Sequence, residues 1–341
     1  MPTLQDVARR AGVSTATVSK VLSNTPYFTE QTRLKVMQAV NELNYRPNLA
    51  ARALSTGKTR IIALTLPHVY DAIFKDPHVM AILEGVEAEL TRADYSLLLS
   101  TPQLSEQGAD ENYKRLVCSG YIDGMIAIDN VPIASVAKEA REQSIPTVVI
   151  GYHESEHRVL SDDRQGGALI MGHVLDLGHM RVGLIGVEEN KNFAVNQRLR
   201  GMQAVLEQRG LNFDTLPQVV SDFSTSGGAR AAAQLIEAHP QLTAVVCLND
   251  RMAMGAIQQL HHMGYRVPED VTVTGYDNLS VTSIFTPPVT TVDQKATVLG
   301  QMSVSILMGV LADKAFTQTQ QTPVVLSPEL VVRESSAAPR D

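Results

Sequence analysis

The chain is poor in cysteine and has no long apolar run. Of its 341 residues only Cys118 and Cys247 are cysteine, which excludes a disulfide scaffold and leaves two buried free thiols as the expectation. No stretch approaches the roughly 20 apolar residues that cross a bilayer. The start reads directly into a capped helix, without a basic run followed by an apolar core, so a cytoplasmic protein that avoids membranes is expected. The nine histidines lack the paired short spacing of a zinc site, and in the adjacent pair His261-His262 the two side chains point apart on a helix. No metal and no cofactor is expected. Also missing are a G-x-x-x-x-G-K-S/T loop, a G-x-G-x-x-G turn after the first strand and a G-x-S-x-G elbow. Catalysis therefore has no carrier, and the chain does not read as an enzyme.

What is present is a globular composition, 44% hydrophobic and 19% charged, at a length that suits two or three domains. Charge is distributed unevenly. Residues 1–60 hold nine Lys/Arg and only three acids, Asp6, Glu30 and Glu42, a formal +6 within a chain of net −7. A basic head on an acidic body fits a protein of which one part meets phosphate.

Within that head, residues 13–22 carry two chemically different faces at helical spacing. Val18, Val21 and Leu22 form an apolar stripe, while Thr15, Ala16, Ser19 and Lys20 lie opposite it. Ser14 is placed to cap the helix. Upstream, Leu4, Val7, Ala8 and Ala11 make a second inward stripe behind Thr3 and Asp6, which have capping-box spacing, and Gly12-Val13 supplies a tight connection. Thr29 opens a third segment built on Val36, Ala39, Val40 and Leu43. The pattern reads as a helix-turn-helix, or more plainly as an ordinary three-helix fragment, and the local charge favours the former.

From Arg60 onward short apolar runs alternate with helical patterns. Residues 61–66, 96–100, 124–128 and 147–150 read as buried strands, with helices around 78–93, 106–118 and 132–143. The rhythm restarts with strands at 181–185, 244–248 and 271–276 and helices near 166–177, 196–209, 226–238 and 250–262. Two α/β units of parallel sheet thus stand in series, and a cleft between the carboxyl ends of their strands is the expected ligand site. Asn249-Asp250 and Asp277-Asn278 follow two of those strand ends. Asp250 and Asn278 are equally readable as helix-cap or turn residues, whereas Asn249 and Asp277 gain weight from falling at equivalent ends of neighbouring strands.

Between head and body, Pro47 breaks one helix and can open another over Leu49 to Leu54, which Gly57 ends. Two turns are too few to be stable alone. The segment is either a disordered basic linker or a helix that forms on DNA, with Leu54 as an apolar wedge.

Taken in order, Leu4-Gln5-Asp6-Val7-Ala8, Ala11-Gly12-Val13-Ser14, Thr17-Val18-Ser19, Asn44-Tyr45-Arg46-Pro47-Asn48, Leu177-Gly178-His179, Asn249-Asp250, Gly275-Tyr276-Asp277 and Pro287-Pro288 resemble the LacI/GalR family of bacterial transcriptional regulators over nearly the whole chain. The resemblance implies a helix-turn-helix domain over 1–46, a hinge helix over 47–58 and a core over 59–341 like that of periplasmic sugar-binding proteins. One core lobe would span about 59–161 and 291–322, the other about 162–290 and 323–334, with crossovers near 161, 290 and 322. It implies a homodimer on a pseudo-palindromic operator, and the C-terminal stretch lacks the leucine heptads that would add a tetramer. Thr15, Ala16 and Lys20 would reach base edges, and Ser14, Thr17, Ser19 and Asn48 phosphates. Ala51 and Leu54 would enter the minor groove. Lys20 departs from the family's common arginine and lacks its planar fork. Arg198, in the run Arg198-Leu199-Arg200-Gly201, matches the effector-binding arginine, and Asn249, Asp277 and Gln294 match other effector contacts. Such a set suits a sugar, phosphosugar or nucleoside, although Arg198 would equally suit a carboxylate or phosphate. The stretch 67–77 is longer than usual and lacks the family's aromatic pair, leaving Tyr70 or Phe74 either to stack on the effector or to lie on the surface.

Overall fold

A computed structural model describes residues 2–22, 27–46, 53, 57–66, 73–105, 108–130, 135–188, 192–312 and 323–340. Its contacts divide the chain into two compact units, Met1–Thr59 and Arg60–Asp341.

The first unit is three helices, Leu4–Ala11, Thr15–Leu22 and Glu30–Glu42. Thr3 and Asp6 close a capping box, the Asp6 amide donating to Thr3 Oγ1 at 3.3 Å and the Thr3 amide to Asp6 Oδ2 at 2.9 Å. Gly12 turns the chain with φ of 68°, the left-handed region a side chain resists. Val7, Ala8, Val18, Val21, Val36 and Ala39 are buried together, with Leu4, Leu22, Val40 and Leu43 packed around them. The inward stripes read from spacing are this core. The expected hinge helix, with Asn48, Ala51 and Leu54, lies outside the described residues.

The second unit holds two parallel sheets. Its strands are β1 Ile61–Thr65, β2 Ser96–Ser100, the short pair β3 Leu104–Ser105 and β4 Gly108–Ala109, β5 Gly124–Ile128, β6 Thr147–Ile150, β7 Arg158–Ser161, β8 Val182–Val187, β9 Gln218–Ser221, β10 Ala244–Cys247, β11 Thr272–Thr274, β12 Thr291–Asp293, β13 Val324–Leu326 and β14 Glu329–Val331. The first sheet runs β13-β7-β6-β5-β1-β2 and the second β11-β10-β8-β9, with every pairing parallel. Helices cover both faces, so β6 and β8 are buried at every position and read as continuous apolar runs. Ala296–Ala312 packs on Pro77–Arg92 so closely that a Cβ on Gly85 would stand 2.1 Å from the Thr297 carbonyl oxygen.

The chain passes between the lobes after Ser161, which ends β7, and again around β12. The third passage was expected near 322. Val324, Val325 and Leu326 instead pair with Val159, Leu160 and Ser161, because a short apolar strand completes the open edge of the first sheet there. The passage therefore follows Leu326, through β14, which pairs antiparallel with β12. A second expectation also needs correction: Cys247 is buried, but Cys118 is exposed. It ends the helix Glu111–Cys118, whose inward face is Tyr113 and Val117.

Candidate functional site

On the first unit, Ser14 Oγ accepts from the Thr17 amide at 3.1 Å and shares a 2.9 Å hydrogen bond with Thr17 Oγ1. This is the capping role expected of a serine ahead of the helix Thr15–Leu22. Thr15, Ala16, Ser19 and Lys20 are all exposed, Thr17 is partly buried, and Val18 and Val21 face the core. At 1.5 Å per residue the eight-residue helix is about 12 Å long, comparable with the width of the B-DNA major groove. Arg10 binds Glu42, and hydrogen bonds from Gln38 and then Arg10 hold the Glu42 carboxyl below its usual pKa.

The second unit carries a cavity of about 150 Å³, roughly ten times the space one water needs. Its lining comes from the carboxyl ends of strands in both sheets, as the geometry of open parallel sheets requires. Leu66 follows β1, Asn130 β5, Tyr152 β6, Phe223 β9, Asn249 β10 and Asp277 β11.

Arg198, on the helix Phe193–Gln208, is buried at the centre. Its Nε donates to Asp163 Oδ1 at 2.7 Å, Nη1 to the Leu248 carbonyl at 3.0 Å and Nη2 to Gln294 Oε1 at 3.2 Å. The guanidinium also lies over the Tyr276 ring, 3.9 Å from its centroid. Burial opposes the charge, but Asp163, Tyr276 and Asp277 outweigh it and keep the guanidinium firmly protonated. Three of its five N–H donors are so engaged, which leaves two for a ligand. Gln294 Nε2 donates in turn to Asp277 Oδ1. Burial pushes the Asp277 carboxyl well above the usual carboxylate range, with Arg198 pulling the other way.

Arg198, Asn249, Asp277 and Gln294, picked from separate parts of the sequence, all line this one cavity. Asn249 is nevertheless occupied with the fold: its Oδ1 accepts from the Met252 amide at 2.8 Å and its Nδ2 donates to the Phe223 carbonyl at 3.1 Å. Asp250 is structural too, accepting from Thr291 Oγ1 at 2.6 Å and the Leu279 amide at 2.8 Å. Phe74 does not line the cavity. It is 55% exposed and borders a separate groove with Lys75, Met80 and Lys295, because the 3-10 turn Ile73–Lys75 ends before the chain reaches the cleft at Asp76. Tyr70 lies outside the described residues.

Sequence reasoning missed Asp163, His78, Asn130, Tyr152 and Phe223. Asn130 was accessible to it, since it follows a strand end just as Asn249 and Asp277 do. His78, at the start of the helix Pro77–Arg92, has its amide bonded to Asp76 Oδ1 at 3.0 Å, and burial lowers its imidazole to about 4. Among the described residues no group of His, Cys, Asp and Glu is arranged to hold a metal ion, and no helix is long and apolar enough to cross a membrane.

Comparison with known proteins places these two constructions together. Residues 3–48 match the bacterial regulatory proteins of the lacI family, and residues 171–336 match the periplasmic binding protein-like domain. The HTH-type transcriptional repressor PurR of Photobacterium profundum is 31% identical over 339 residues, 98% of each chain. Among solved structures, the transcriptional regulator CelR in its cellobiose complex is 28% identical, with a TM-score of 0.72 over 98% of this chain and 100% of that one. The lac repressor dimer bound to operator and the anti-inducer ONPF shares the fold at 24% identity, with a TM-score of 0.82 over 99% of both chains. The head that presents Thr15 to Lys20 and the two-lobed core around Arg198 therefore identify the chain as a member of the LacI family of bacterial regulatory proteins.

Proposed function

We propose that this chain is an effector-controlled transcriptional repressor that binds a pseudo-palindromic operator as a homodimer and has no catalytic role. The observation that carries this reading is the union, in one chain, of an exposed polar face on a buried-backed helix and a cavity closed by strand ends of two lobes. Thr15, Ala16 and Lys20 read base edges. Ser14, Thr17, Ser19 and Asn48 hold phosphates, and Ala51 and Leu54 enter the minor groove.

Arg198, Asp277 and Gln294 bind the effector, with Asn249 fixing the wall beside it. Donors and acceptors of this kind suit a sugar, phosphosugar or nucleoside, and a solved relative holds cellobiose. Closing the lobes on the effector biases whether the paired heads can engage DNA. Such a protein works in the cytoplasm, where its operator is.

Deleting residues 1–58 tests the assignment. Specific DNA binding should vanish while ligand-induced thermal stabilisation of the core persists. Sequence-specific DNA binding by the truncated core would overturn it.

A further inference from the structure

We propose that the cavity selects an uncharged, hydroxyl-rich effector over a phosphorylated or carboxylated one, and that His78 and Ser161 are specificity-determining contacts. The proposal rests on the effector-binding reading above and narrows it.

Anions need an unmatched cation, and among the described residues the lining offers none. Arg198 is matched by Asp163 at 2.7 Å. Arg251, behind the wall, reaches Asp76 Oδ2 at 3.9 Å. Asp277 adds a further carboxyl to the lining, one whose ionisation burial disfavours, and the Arg198–Asp163 pair leaves no positive charge over. A phosphate entering here would be desolvated beside carboxyl groups, an arrangement that disfavours negative charge. His78 cannot become the missing cation at neutral pH, since burial lowers its imidazole to about 4 against the pull of Asp76.

Two polar atoms of the lining await partners. His78 Nδ1 and Ser161 Oγ are buried without a hydrogen bond, and both residues line the cavity. Orphaned polar atoms are uncommon in folded proteins and invite a ligand or water. A neutral imidazole offers one donor and one acceptor, and a serine hydroxyl offers both. A sugar hydroxyl answers either one. Fully ionised phosphate oxygens only accept, and so answer Nδ1 only in the tautomer that carries its proton there. The rest of the wall includes Val79, Ile82, Ile150 and Leu160, apolar surface that suits the C–H faces of a sugar ring.

Thermal unfolding of the full chain tests this with matched probes: ribose against ribose 5-phosphate, glucose against glucose 6-phosphate, adenosine against adenosine monophosphate, and cellobiose and inorganic phosphate alone. At least one neutral probe should raise the transition, and its phosphorylated counterpart should bind at least about tenfold more weakly. His78→Leu and Ser161→Ala should each weaken the stabilising probe by about tenfold without lowering the unliganded transition. Stabilisation by a phosphorylated probe or phosphate above its neutral counterpart, or by no neutral probe, would overturn the proposal. So would unchanged affinity in both variants. Specific DNA binding by the same preparation separates the two claims: its absence sinks the repressor reading, whereas intact DNA binding with reversed ligand preference sinks only this one.

Discussion

Arg198 Nε and Asp163 Oδ1 meet at 2.7 Å with both side chains buried, although 35 residues separate them in sequence. Asp163 opens the helix Asp163–Asp176, and Arg198 sits inside the helix Phe193–Gln208. Each makes the burial of the other tolerable. Asp163→Ala leaves a buried guanidinium uncompensated and should lower the unfolding free energy of the core by about 3–5 kcal/mol in urea. Asp163→Asn keeps an acceptor and should cost less. A loss below about 1 kcal/mol for the alanine variant, the range of an exposed pair, would contradict the pairing.

The contact between those helices is set by glycine. A Cβ on Gly167 would stand 2.0 Å from the Arg198 carbonyl oxygen, and one on Gly201 would stand 1.9 Å from that of Arg164. Gly167→Ala and Gly201→Ala should therefore each destabilise by about 1–3 kcal/mol and weaken ligand-induced stabilisation as Arg198 is displaced. Gly172, on the same helix, has nothing within 4 Å of its would-be Cβ. Gly172→Ala should be neutral or stabilising by up to about 1 kcal/mol. Equal denaturation midpoints for all three variants would refute the close approach.

Legibility in the sequence followed how local the cause was. The head helices were readable because Val7, Val18, Val21, Val36 and Ala39 recur at helical spacing and one small core absorbs them all. Strands β5 and β6 were readable because burial of β6 throughout and of all but the last residue of β5 leaves short apolar runs. Strand β9 has alternating partial burial at a sheet edge, and β13 is three residues that gain their identity only beside β7. The helix Ala296–Ala312 shows little polar face, since it packs on Pro77–Arg92 and on the first sheet, so its spacing gave no helical signal. In the cleft, Arg198, Asp277 and Gln294 came from motif resemblance. Asp163 and His78 did not, because each is defined by partners from distant parts of the chain.

Lys20 provides a test of base reading. Lys20→Ala should cost about 1–3 kcal/mol on the preferred operator and relax specificity at one base position per half-site. Lys20→Arg should retain or sharpen preference for guanine through bidentate geometry. Measured across operator variants by fluorescence anisotropy, uniform weakening on every sequence would make Lys20 a phosphate contact instead.

The cleft should also respond to acid. His78 has its folded-state pKa depressed from 6.5 to about 4 by burial, so the unfolded chain binds the extra proton more readily. Its contribution to stability is present above pH 6.5 and is lost as pH falls toward about 4. Burial shifts His173 and His179 in the same direction, so the whole core should weaken over this window. In chemical denaturation at stepped pH, His78→Leu should show a shallower decline than the parent chain. Superimposable pH profiles would show that folding leaves the His78 pKa unshifted and would contradict its burial in neutral form.

The most direct measurement is selection of duplexes from a random-sequence pool by the full chain. A homodimer reading DNA through Thr15, Ala16 and Lys20 should enrich pseudo-palindromes, and Lys20→Ala should relax the same position in both halves. Enrichment of an unsymmetrical site, or of no site, would contradict the assignment.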